Sequence, residues 1–148
     1  MLHHSCAGGA CTNGGILNNN RDLTAEEFTI RIQTDNAGGV NARVQLWHPA
    51  GIQTVSYGST VAGWNHVCVT YDSNAVRLYV NGNNVDTQSI SGYLLVAHCP
   101  YTIGFDHGVG YFNGNIDDVL ITPFAMTDAE MNAHRNGDRA FLQGLGFF

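Results

Sequence analysis

Large apolar side chains in this chain recur mostly at every second position, the period of a strand that buries one face. Phe28, Ile30 and Ile32 alternate with Thr29, Arg31 and Gln33, and Val40 to Trp47 alternates again through Val44 and Leu46. Between the two runs Asp35-Asn36-Ala37-Gly38-Gly39 supplies a turn, and Pro49-Ala50-Gly51 breaks the chain before a third run, Ile52 to Tyr57. Trp64 to Tyr71 is rich in β-branched and aromatic residues, turns at Asp72-Ser73-Asn74 and resumes as Val76-Arg77-Leu78-Tyr79-Val80. Asn81-Gly82 tolerates the positive φ angles of a tight primed turn and so predicts a return strand through Val85. Tyr101 to Phe105 and Ile116 to Ile121 read as two further strands, separated by His107-Gly108-Val109-Gly110 and Asn113-Gly114. About eight short strands with frequent turns predict an all-β, two-sheet antiparallel β-sandwich or jelly roll.

One short C-terminal helix is signalled. Thr127 stands where a cap is needed, Glu130 three residues on completes a capping box, and Met126 with Met131 occupy the positions of a hydrophobic staple. Asn136-Gly137 ends it. Residues 1–20 carry Asn13-Gly14-Gly15 and Asn18-Asn19-Asn20 with few large apolar side chains, and read as an irregular arm. The sandwich is expected over 21–137. The tail at 138–148 holds Phe141, Leu142, Leu145, Phe147 and Phe148, and is expected to pack on this domain or on a neighbouring copy.

Composition narrows the functional classes. With 148 residues, 44% of them hydrophobic, the chain suffices for one core and one domain. Its six basic residues are all arginine and scattered, and its formal charge is -6, so no nucleic-acid partner is expected. No apolar run approaches the roughly 20 residues that cross a bilayer, and Met1-Leu2-His3-His4 lacks the features of a signal peptide. The four cysteines, Cys6, Cys11, Cys68 and Cys99, are disulfide candidates that an even count permits without requiring. Cys68, between Val67 and Val69, reads equally well as a small buried thiol. His3, His4, Cys6 and Cys11 are zinc-type ligands whose spacing matches no familiar zinc motif, leaving a local Cys6–Cys11 disulfide or free thiols as the alternatives.

The stretch Trp64-Asn65-His66-Val67-Cys68-Val69-Thr70-Tyr71-Asp72 resembles the signature strand of laminin-G-like and pentraxin-like domains of the concanavalin A-like lectin/glucanase superfamily. Val76 to Gly82, Thr102-Ile103-Gly104, Phe112 to Val119 and Met126 to Met131 follow in that family's order, so the resemblance covers about Phe28 to His134. The family's usual first strands, ahead of Phe28, are not evident. The resemblance implies a concanavalin A-like jelly roll whose relatives bind glycans, glycoproteins or phospholipid head groups, often through calcium held in rim loops. It implies structural roles for Trp64, plugging the sandwich, and for His66, bonding within it. It implies a calcium site at Asp106, in Phe105-Asp106-His107-Gly108, with Asn41 matching an upstream amide ligand; the family's other carboxylates are missing here. Pentraxin-like relatives bridge the cysteine matching Cys68 to one in the strand matching Phe28 to Ile32, where this chain has Arg31, so that pairing does not transfer. Cys99 is the one other core candidate.

Catalysis is not expected. Glycosidases of this fold use two closely placed carboxylates, whereas the three glutamates here are Glu26 and Glu27, adjacent at a strand entrance, and Glu130 in the cap. Asp117 and Asp118, read as consecutive strand residues, point to opposite faces. The expectation is a non-catalytic recognition module binding carbohydrate or glycoprotein through rim loops, with Asp35, Asn36, Trp47, Asp72, Asn74, His107 and Tyr111 as candidate contacts. The alternative is a structural, assembly or decoration protein of a virus particle or cell surface, meeting a protein partner or its own copies through the arms. Either reading favours an extracellular or virion-surface location. Calcium is the one cofactor expected.

Overall fold

The computed structural model of the chain describes residues 2–4, 15–18, 42–48, 51–58, 63–92, 101–106, 110–144 and 146. Strands β1 (Leu2–His4), β2 (Leu17–Asn18), β3 (Ala42–His48), β4 (Gly51–Tyr57), β5 (Gly63–Asn65) and β6 (Val67–Tyr71) come first. β7 (Ala75–Val80), β8 (Asn83–Ser89), β9 (Thr102–Ile103), β10 (Phe105–Asp106), β11 (Gly110–Tyr111) and β12 (Gly114–Ile116) follow, and helices α1 (Asp128–Asn136) and α2 (Arg139–Gly144) complete the order. All strand pairs are antiparallel, as a β-sandwich of short hairpins requires.

The central hairpins follow the alternation in the sequence. β3 and β4 pair from Ala42 opposite Tyr57 to His48 opposite Gly51, which sets Val44 against Val55, 0% and 1% exposed. β6, β7 and β8 form the expected meander, with β7 in the middle. Asn81 and Gly82 adopt φ of 53° and 84°, the backbone a primed turn demands. A bulge between Leu78 and Tyr79 sets Leu78 opposite Asp86 and Tyr79 opposite Asn84. Asp86 then accepts the Ser56 N–H at 2.8 Å and ties β8 to β4. Val76, Leu78 and Val80 face a core shared with Ile16, Val44, Val55 and Ile90. On the other face of β7, Tyr79 is buried, and that burial, seconded by the Asp128 carboxylate at the start of α1, raises the pKa of its hydroxyl.

Three expectations are corrected. Where residues 1–20 are described they are not irregular: β1 lies between β5 and β12, β2 pairs with β9, and Ile16 is buried in the core. The expected strand Ile116 to Ile121 stops at Ile116, because Asp118 takes φ of 51°, a left-handed backbone that no strand accommodates. A second helix follows the first. Gly137, at φ 68°, closes α1 by donating to the His134 carbonyl at 3.1 Å, and Asp138 then accepts the Phe141 N–H at 3.0 Å to start α2. Leu142 on α2 is buried, so this part of the apolar tail packs on its own chain. The strand read at Phe28 to Ile32 and tail residues Leu145, Phe147 and Phe148 lie outside the described residues. Neither described helix is long and apolar enough to cross a membrane.

Candidate functional site

The Asp72–Asn74 loop at one end of the meander is occupied by its own hydrogen bonds. Asp72 Oδ1 accepts the N–H groups of Asn74 and Ala75 at 2.9 and 2.8 Å, and Oδ2 accepts from Arg77 Nη1 at 2.6 Å. The Arg77 guanidinium, seconded by those two N–H donors, holds the Asp72 carboxyl down at about 2. Ser73 and Asn74 give their carbonyls to Gly92 and Ile90, and Tyr71 donates its hydroxyl to the Gly92 carbonyl at 2.7 Å. The side-chain oxygens of Asp72 thus organise the loop, and Asn74 serves chiefly as its anchor to residues 90–92.

Tyr111 stands differently. The residue is 76% exposed, the most of the large hydrophobic residues described, yet its backbone is held on both sides. Phe105 pairs opposite it, with ring centroids 4.7 Å apart and planes tilted by 44°, while Gly15 bridges it on the other side. Flanking bonds run from Gly15 N–H to the Gly110 carbonyl, Phe112 N–H to Gly104, and Gly104 N–H to Ile16. Gly104 has φ of 78°, which lets the chain turn between β9 and β10. Ile103 and Tyr101 on the same stretch are also exposed, which periodicity alone did not single out.

At the opposite end of the meander, Asn81 ties the turn to β5. Its Oδ1 accepts the His66 N–H at 3.0 Å, its Nδ2 donates to Asn65 Oδ1 at 3.0 Å, and its own N–H donates to the His66 carbonyl at 2.8 Å. His66 is buried, as the resemblance implies, and its Nε2 lies 3.2 Å from Nδ1 of His134 on α1. Trp64 departs from the implied plug. Asn65 takes the inward position of β5 at 1% exposure, so alternation turns Trp64 outward to 45%. Asp117 and Asp118 are both exposed and joined by the Asp118 N–H donating to Asp117 Oδ1 at 2.8 Å. Glu130 is consumed in the capping box, accepting from Thr127 N–H and Oγ1 at 2.6 and 2.8 Å.

Of the remaining candidates, Trp47 is placed on β3 opposite Ile52, while Asp35, Asn36, Asn41, His107, Cys6, Cys11 and Cys99 lie outside the described residues. Asp106 is placed on β10 opposite Gly110. Among the described residues no three His, Cys, Asp or Glu side chains gather as a metal centre. Cys68 carries a free thiol that burial pushes up to about 11.

An antiparallel β-sandwich closed by a C-terminal helix, with loop residues displayed at its rims, defines a class of jelly-roll domains. The chain belongs to the laminin-G-like family described as the concanavalin A-like lectin/glucanases superfamily, whose model matches residues 12–132. No curated protein matches. Among solved structures, the chain is similar to part of an S-layer domain-containing protein from Clostridium thermocellum. The TM-score is 0.40 and the identity 20%, covering 90% of this chain and 67% of the other.

Proposed function

We propose that this domain is a non-catalytic recognition module that binds carbohydrate or glycoprotein at the rim formed by β10 and β11. Tyr111 carries the reading. An aromatic ring left in water while its backbone is pinned on both sides offers an apolar face at little ordering cost, the form in which proteins stack on sugar rings. Asp106, for which calcium is proposed, belongs to the same hairpin, its backbone opposite Gly110. The test is a glycan-array screen with and without calcium, repeated with Tyr111→Ala. Glycan binding that Tyr111→Ala abolishes without altering the melting curve supports the reading, and binding that survives in the variant removes Tyr111 from it.

Assembly on a surface is the second reading, favoured by Val119, Ile121, Phe124 and Phe141, each more than 40% exposed. Exposed apolar side chains of this size suit contact with a protein partner or a second copy. Light scattering at micromolar concentration decides between them on this point: a species larger than one chain that Phe124→Ser and Phe141→Ser dissociate favours assembly, and a monomer opposes it. Both readings place the chain extracellularly or on a cell or virion surface.

A further inference from the structure

We propose that the His66–His134 contact is an acid-sensitive latch, which holds the C-terminal helices against the sandwich at neutral pH and loosens when the pair takes up a proton. The two residues come from different elements, 68 positions apart, and meet at 3.2 Å through Nε2 of His66 and Nδ1 of His134. Two facing imidazole nitrogens form a hydrogen bond only if one carries the proton and the other a lone pair. The far nitrogen of His66, Nδ1, is buried and has no partner among the described residues. A buried lone pair without a donor costs less than a buried N–H without an acceptor, so the neutral pair is arranged with His66 Nε2–H donating to His134 Nδ1.

That arrangement has no place for another proton. Protonating His134 at Nδ1 sets two donors face to face. Reversing His66 to receive that donor moves its own proton to Nδ1, where nothing accepts it. Protonating His66 directly does the same with a charge added. The surroundings agree: burial, then the His134 ring, holds His66 down at about 4, and burial also lowers His134. Among the described residues, the charged groups facing the pair are Arg135 on α1, which opposes a further positive charge on His66, and Asp118 beyond β12, which favours one. Asn65 and Asn81, the other polar neighbours, do not titrate.

What the latch holds is α1, which is also seated over the 81–82 turn. A Cβ at Gly82 would fall 2.6 Å from Asn132 Oδ1, which marks how closely the helix approaches. Because the folded pair resists a proton that the freed histidines accept at about 6.5, release of the helix draws protons. Hydrogen exchange on the full chain from about pH 7 to pH 4.5, corrected for intrinsic rates, reads this directly. Protection of residues 128–144 is expected to fall by up to about tenfold per pH unit for each histidine that takes up a proton on release, while β7 keeps its protection. His134→Gln, which bonds without titrating, is expected to flatten the dependence. Constant protection in the native chain, or an equal fall in His134→Gln, overturns the latch. Ring nitrogen shifts of the unmodified protein give a check that needs no variant: a neutral His66 protonated at Nε2 near pH 7 supports it, and one protonated at Nδ1 overturns it.

Discussion

Asp72 shows how a polar residue on a rim loop is spent on its own backbone. Two N–H groups and one guanidinium take up its carboxylate, so a side chain that in the sequence looks available to a ligand is the fastening of the turn. The charged form is favoured in the folded state only, and its pKa lies at about 2, below the usual carboxylate range. The stability it lends is therefore complete above the unfolded value near 3.9 and is lost as pH falls from there toward 2. Arg77→Ala is expected to move the Asp72 midpoint back toward the ordinary value in a carboxyl NMR titration. A midpoint that stays near 2 would assign the shift to the two N–H donors alone. The residues that do offer themselves outward, Tyr111, Trp64 and Ile103, were harder to foresee, because exposure depends on which neighbour wins the inward position. Trp64 faces out because Asn65, held by the Asn81 amide, faces in.

Elements were legible where their causes are local. The β6–β7–β8 meander follows from alternation plus Asn81-Gly82, and α1 follows from a capping box and a glycine stop that lie within a few residues of its ends. Thr127→Ala removes the hydroxyl half of that box, leaving the Thr127 N–H bond to Glu130, and is expected to cost about 1 kcal/mol, read as a lower urea midpoint at unchanged slope, with Thr127→Ser restoring most of it. Elements set by distant partners were not legible. β1 is Leu2-His3-His4, a stretch with no alternation worth the name, and it becomes a strand because β5 and β12 flank it. The apolar run through Ile121 reads as a strand, yet the left-handed backbone at Asp118 interrupts it; aspartate tolerates that backbone better than most residues, but the residue type alone does not require it. The His66–His134 contact was equally invisible, since sequence spacing says nothing about pairs 68 residues apart.

For the molecule as a whole, the core joins pieces from the chain's two halves. Ile16 arrives from the first segment, Val44 and Val55 from one hairpin, and Val76, Leu78 and Val80 from the meander. Leu78 is 0% exposed at the centre of this group, and Leu78→Ala is expected to destabilise the fold by about 2–5 kcal/mol in chemical denaturation, through lost burial and the cavity left behind. A loss below about 1 kcal/mol would place the centre of the core elsewhere. The position of β1 bears in addition on the order in which the domain comes together. Its neighbours on either side are residues 63–65 and 114–116, so a nascent chain that has already exposed its first strand must wait until most of the sequence has emerged before that strand gains both partners. The β6–β7–β8 meander, whose contacts are local, is free to form long before then. Closing the sheet around β1 becomes the late step, slowed by the entropy of bringing distant segments together, and until it happens β5 keeps an open edge on the growing protein.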